Sequence, residues 1–242
     1  MPERFSASKA TRLMQCHASA DLERAIPTYE PPPPADPDDD SAASRGTRIH
    51  EMFAAVMSLP YSDAKYLSAA MQYVFEVVQR RRYKKLIEVE WVADWLPSQP
   101  RTTADLVLYL RDEMHVFDLK TGKSPISAVD NDQLMFYAAT YWEFAPLAKE
   151  IHLHIVQPWA DNCEEHVITH EELFAWMEKA VEHDDQITNG DLTFGPGDHC
   201  TFCPANPHSR AAKGKPSCPV MMQLLYPPPS LDDDALMRKL EE

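Results

Sequence analysis

Near the middle of the chain the spacing of apolar residues changes period, and that change constrains the fold more than any other feature. From Leu86 to Trp95, Thr103 to Leu110 and Met114 to Lys120 the sequence runs in short stretches rich in Val, Ile, Leu and Trp. Stretches of that length and composition predict three β-strands, with Arg111-Asp112-Glu113 as a tight turn between the last two. Upstream the spacing is helical. Residues 6–25 predict one helix, capped by Ser6 or Ser8, with Leu13, Cys16, Ala20 and Leu22 near one face. Residues 45–59 predict a second, with Ile49, Phe53 and Val56 together. Residues 62–83 predict a third, carrying Leu67, Met71, Val74, Phe75 and Val78 and ending in Arg80-Arg81-Arg82-Tyr83-Lys84-Lys85. Downstream, residues 131–144 predict a helix, 151–157 a strand and 170–187 a helix. The order predicts an α/β fold: a mixed central sheet flanked by helices, an N-terminal helical part and a C-terminal cysteine-bearing segment.

Residues 1–226 are expected to form a single domain and 227–242 an acidic tail. Within the domain, residues 27–44 carry Pro31-Pro32-Pro33-Pro34 and Asp38-Asp39-Asp40, a composition that cannot build a core and predicts a mobile loop. The formal charge of −15 argues at first against a nucleic-acid partner. Segments 30–43 and 230–242 hold ten acids and two bases, however, and so account for −8 of it. The remainder is compatible with DNA, the more so if some carboxylates hold cations. No apolar run reaches the ~20 residues of a membrane helix, and no secretion signal opens the chain, so a cytoplasmic protein without membrane contact is expected.

Asp118 and Lys120 interrupt an otherwise buried-strand sequence, where unpaired charge is costly. Residues two apart on a strand share a face, so both side chains point the same way. Asp105 stands one strand earlier and can converge on them. Two carboxylates and one ammonium around a point suit a hard divalent cation such as Mg²⁺, which keeps positions open for water and phosphate. The plain alternative is a surface salt bridge at a strand end.

The whole pattern resembles the RecB-like branch of the PD-(D/E)XK nuclease superfamily. Asp105 and Asp118 match its two acids and Lys120 its lysine. The resemblance implies that Leu119 lends its backbone carbonyl to the metal. Gly46-Thr47-Arg48-Ile49-His50 resembles the upstream helix motif, which implies His50 as a further ligand. Gln133-Leu134-Met135-Phe136-Tyr137 matches the downstream Gln-x-x-x-Tyr motif, placing Gln133 and Tyr137 on one helix face to brace the site and touch DNA. Glu90 is a candidate further acid near the metal, with a solvated strand face as its alternative. Arg80, Arg81 and Arg82, with Lys84 and Lys85, are candidates to steer a phosphate backbone. One departure from the family is Arg101-Thr102-Thr103-Ala104 where glycine often precedes the first acid.

The five cysteines are unevenly placed: Cys200 and Cys203 as Cys-x-x-Cys, then Cys218, with Cys16 far upstream and Cys163 apart. An odd number without a secretion signal points to metal or cluster ligation rather than disulfides. The placement resembles the AddB nuclease domain and the CRISPR-associated four-cysteine exonucleases. That implies a [4Fe-4S] cluster on Cys16, Cys200, Cys203 and Cys218, within a cluster-binding segment at 195–220. A Zn²⁺ site from Cys200, Cys203, Cys218 and either His199 or His208 stays open, because the fourteen residues between Cys203 and Cys218 exceed the family's usual spacing. Cys163 is expected to be a free thiol. The opening Ser6-Ala7-Ser8-Lys9-Ala10 and the string Ile155-Val156-Gln157-Pro158 look like an uncharacterised phage family related to these nucleases.

The resemblance as a whole implies a Mg²⁺- or Mn²⁺-dependent DNA exonuclease, resecting 5′–3′ in phage recombination or replication, in the host cytoplasm. Its partners would be DNA and a single-strand-binding or annealing protein. The alternatives are a non-catalytic DNA-binding or assembly protein that keeps the fold, and a zinc protein with no nuclease role.

Overall fold

A computed structural model describes residues 5–25, 42–57, 69–208 and 218–225. The Pro/Asp stretch up to residue 41 and the tail after residue 225 lie outside the described residues. The sheet has five strands in the order β1-β2-β3-β4-β5: Lys84–Val92, Arg101–Leu110, Glu113–Leu119, Glu150–Gln157 and Asn162–Thr169. All neighbours are antiparallel except β3 and β4, which are parallel and are joined through helix α5, Asp132–Tyr141. The predicted mixed α/β architecture is therefore the observed one.

Strand β3 is central, and six of its seven residues are buried. Its alternation feeds two apolar layers. On one face Val107, Met114, Val116, Ile151, Leu153 and Ile155 pack beneath Leu134 and Phe136 of α5 and Leu173, Ala180 and Ile187 of α6, His170–Thr188. Phe5 and Leu13 extend that layer from the N-terminal part. On the other face Leu106, Leu108, Phe117, Leu119 and Val156 pack beneath Phe53 of α3, Ala42–Met57, and Val74, Phe75 and Val77 of α4, Ala69–Arg80. Each fully buried large side chain contributes about 1.5–3 kcal/mol. Helices on both faces explain why β3 and β4 read as nearly continuous hydrophobic runs.

Three elements differ from expectation. The helix foreseen over residues 6–25 is broken: after a 3₁₀ turn, α1, Ala10–Gln15, ends at extended Cys16, and α2, Ala18–Ala25, restarts beyond it. The Cys16 carbonyl accepts from the Ser19 amide and hydroxyl, so the break is satisfied locally. Residues 42–44, assigned to the loop by composition, already belong to α3. Strand β5 was not foreseen. It is an edge strand with alternating partial exposure, and an edge need not be apolar on both faces. No helix among the described residues is long and apolar enough to cross a membrane.

Candidate active site

The register aligns three acids in one row across three strands. Ile87 pairs with Leu106 and Val89 with Ala104, so Glu88 lies opposite Asp105; Leu106 pairs with Phe117, so the next rung sets Asp105 opposite Asp118. Asp105 and Asp118 are both buried, at 7% and 3% exposure. Asp105 accepts a hydrogen bond from the Leu119 amide through one oxygen and engages His50 Nδ1 at 3.0 Å through the other. His50 reaches in from α3, and its Nδ1 is also 3.6 Å from Glu88. His50, Glu88 and Asp105 each offer one ligand atom within 4.8 Å of the others.

Asp118 and Lys120 share a face with Val116, toward α5. Lys120 Nζ lies 2.7 Å from Asp118 Oδ2 and donates to Gln133 Oε1 at 2.8 Å. Gln133 Nε2 in turn donates to Tyr137 Oη at 2.9 Å and approaches Asp118 Oδ1 at 3.4 Å. Gln133 thus holds the lysine and the second acid together. It sits in the first turn of α5, whose start is capped by the Asn131 side chain accepting from the Leu134 amide, so the positive end of the helix faces the site.

The charges strain one another. Burial pushes the Asp118 carboxyl up to about 6; Lys120 opposes the shift and Asp105 adds to it. Burial, then Asp105, raises Glu88. The Asp105 hydrogen bond raises His50 against its own burial. Although Lys120 pairs with it, Asp118 Oδ2 is buried without a partner in hydrogen-bond geometry. A divalent cation would offset these crowded carboxylates: oxygens that predominate over one imidazole are a donor set that Mg²⁺ or Mn²⁺ accepts.

Glu90, the further acid expected from the sequence, does not join this row. It pairs with Thr103 across β1 and β2 and bonds exposed Arg101, on the rim of a depression it shares with Ser6, Ser8, Thr103 and Tyr137. Glu88 takes the place instead, with a left-handed φ of 50° in mid-strand. Side-chain alternation treats the two acids alike, so only register and backbone twist could separate them. Arg80, Arg81 and Arg82 are exposed and also lie away from the site. Antiparallel pairing carries the start of β1 beside Tyr109, and Tyr109 pairs with Met114 at the start of β3. At about 3.3 Å per residue that is roughly 13 Å along β3 from Asp118. Arg81 there binds Glu113 and Asp112.

The four cysteines assigned to a cofactor are all buried, while Cys163 is exposed on β5. Cys16 sits at the α1–α2 break, against which Gly195 packs so closely that an added Cβ would fall 1.8 Å from the Gln15 carbonyl oxygen. The Ala18 amide donates to the Thr193 carbonyl at 3.1 Å, tying the same two segments. Cys200 lies within a 3₁₀ turn, Asp198–Phe202, that Cys203 closes, and the Cys218 amide donates to the Ala205 carbonyl at 2.8 Å. Burial raises the Cys16 thiol, the Gly195 and Ser19 backbones oppose that, and nearby Cys218 and Cys203 reinforce it. Arg12 stands over the group, 3.9 Å from Cys203 Sγ. His199 lies 3.6 Å from Cys200 Sγ, and His208 is exposed.

Residues 62–242 match the DUF2800 family, described as a protein of unknown function. Among solved structures, one titled "Crystal structure of SSO0001" is 15% identical, covers 80% of this chain and 81% of its own, and superposes with a TM-score of 0.42.

Proposed function

The chain belongs to the DUF2800 family, and we propose that it is a metal-dependent deoxyribonuclease of the PD-(D/E)XK type. One observation carries the reading: His50, Asp105, Asp118, Lys120, Gln133 and Tyr137 come from two neighbouring strands and two helices, yet they converge on two adjacent buried carboxylates, His50 on Asp105 and Lys120 with Gln133 and Tyr137 around Asp118, the two halves joined through the Leu119 amide. A salt bridge at a strand end needs no such convergence.

In this reading His50, Asp105, Asp118 and the Leu119 carbonyl hold Mg²⁺ or Mn²⁺. When bound, the ion supplies an acidified water and charge neutralisation at phosphate. The protein's own share is positional. Asp105, fixed by the Leu119 amide and His50, holds one side of the site. Gln133 aims Lys120 at the Asp118 edge, where its ammonium can orient a water and face an incoming phosphate oxygen. The start of α5 adds a positive field for that anion. Glu88 supplies a further oxygen donor beside His50. DNA resection, with 5′–3′ polarity and an annealing protein as partner, follows from the resemblance and belongs to the same reading.

For the cysteines we propose the [4Fe-4S] cluster rather than Zn²⁺. A zinc site on Cys200, Cys203, Cys218 and a histidine would leave buried Cys16, which stands near Cys203 and Cys218, without a role, which favours the cluster.

The test is incubation of end-labelled linear DNA and closed circular DNA with the metal-loaded protein. Cleavage that requires Mg²⁺ or Mn²⁺, stops with chelator and is abolished in Asp118→Ala and Lys120→Ala is expected. If every DNA form survives, the enzyme reading fails and a non-catalytic DNA-binding protein takes its place.

A further inference from the structure

Five ionisable residues stand together on the opposite face of the sheet from Asp118 and nearer the start of β3. They are Glu113 and His115 of β3, His152 and His154 of β4, and Glu165 of β5. Parallel register sets His115 beside His152, and antiparallel register sets His154 beside Glu165. His115 and His154 are almost fully buried, at 1% and 0% exposure. The nuclease site uses none of the five, and a fold that merely needed a core would fill these positions with apolar residues.

We propose that Glu113, His115 and His152 form a binding site for a divalent transition metal of the Zn²⁺ class. One ligand atom from each lies within 4.8 Å of the other two. The His115 and His152 rings stack at 4.2 Å with 20° between their planes, and Glu113 Oε1 is 2.9 Å from His115 Nε2. The far nitrogen of each ligand histidine is already held. His152 Nδ1 meets Glu165 at 2.7 Å, and His115 Nδ1 meets His154 Nε2 at 3.0 Å. With Nδ1 held, each ring keeps Nε2 as its ligand atom, and on His115 that nitrogen meets Glu113 Oε1 and, at 3.2 Å, the Tyr83 hydroxyl; holding the far nitrogen in this way is how histidine metal ligands are oriented. Two imidazoles and one carboxylate are the donor set of open zinc sites, whereas Mg²⁺ prefers sites in which oxygen donors predominate.

The hydrogen-bond chain beyond the ligands serves the same end. Ionised Glu113 can only accept, so without metal His115 carries its proton on Nε2, His154 donates to His115, and Tyr73 donates to His154 Nδ1 at 2.8 Å. A metal at His115 Nε2 reverses the chain: His115 donates from Nδ1 to His154 Nε2, and His154 donates from Nδ1 to Tyr73. Each imidazole keeps one proton throughout, so the ligand changes tautomer without charging a buried ring. Glu113 is meanwhile held by Tyr83 and exposed Arg81, the groups an ion would displace. Entry is available through a surface cleft lined by Asp112, Glu113, Leu147, Lys149, Glu150 and His152.

The test is equilibrium dialysis of the full chain, cysteine-held group included, against Zn²⁺ and separately Co²⁺. The native protein should take up one ion more than His152→Ala or Glu113→Gln. That additional Co²⁺ should show visible ligand-field bands without the thiolate charge-transfer band that cysteine ligation produces. Glu165→Gln should keep the ion but weaken it by about 10–100-fold. Circular dichroism selects the variants that fold; His152 and Glu113 are only half-buried, so both substitutions leave the apolar layer intact. Equal uptake by native and folded variant proteins overturns the site, as does a Co²⁺ spectrum accounted for by thiolates alone. The readout is metal content, so an inactive nuclease leaves this site standing and an active one does not prove it.

Discussion

Glu88 breaks a local rule at the point where three carboxylates meet. A left-handed φ on a non-glycine residue in mid-strand costs on the order of 1–3 kcal/mol and persists only where surrounding structure enforces it. Here the surroundings are His50 and Asp105. Glu88→Asn is therefore expected to melt no lower than the native protein, because asparagine tolerates this backbone region, while its divalent-metal affinity or cleavage rate falls about 10-fold or more. Glu90→Gln should leave both unchanged, since Glu90 bonds exposed Arg101 and stands outside the row of acids. Parallel melts and cleavage assays of the two variants check the pair; equal losses would show that the row of acids is misassigned.

Element boundaries matter where they carry site residues. The α6 start is secured by a reciprocal cap: Thr169 Oγ1 accepts from the Glu172 amide at 3.2 Å, and the Glu172 carboxylate accepts from the Thr169 amide at 2.7 Å. Thr169→Ala should cost about 0.5–2 kcal/mol in chemical denaturation without altering metal content. Gly195 makes the opposite demand. Its Cα lies against the α1 terminus beside Cys16, where a methyl group has no room. Gly195→Ala should push the cysteine-bearing segment from Cys16 and deplete the bound iron or zinc, measured by metal analysis of the purified variant. A fully loaded Gly195→Ala protein would mean that Cys16 is not a ligand.

At the scale of the whole molecule, the cysteine group and the central sheet are separate stabilising devices. The sheet buries its two apolar layers beneath α3 to α6, with Phe5 and Leu13 at the margin of one of them. The N-terminal helices and the segment after α6 meet at Cys16 and Gly195, through the Ala18–Thr193 hydrogen bond and through the His17–Asp191 and Gln15–His199 side-chain bonds. Cys16→Ser, or chelation of the cysteine-held group, should therefore open residues 16–25 and 195–208 to proteolysis while amides of β3 and β4 stay protected from hydrogen exchange. Simultaneous loss of protection in the sheet would contradict this division.

The α/β class, the order of helices and strands, and the pairing of Asp118 with Lys120 on one face were all legible in the residues, because periods of two and 3.6 are local properties of backbone geometry. So was the sharing of a helix face by Gln133 and Tyr137, four apart. Composition could not settle what depends on alignment between segments. Which glutamate of β1 meets Asp105 depends on register, and a basic run such as Arg80-Arg81-Arg82 reveals no address until antiparallel pairing carries it to the far end of the sheet. Strand β5 was hidden because an edge needs only one partner. The histidines at 115, 152 and 154 carry no motif in the sequence and lie on two strands far apart along the chain; only the parallel pairing of β3 with β4 stacks them beside Glu113 and Glu165. Local chemistry chose the elements, and the register between them chose which side chains can share an ion.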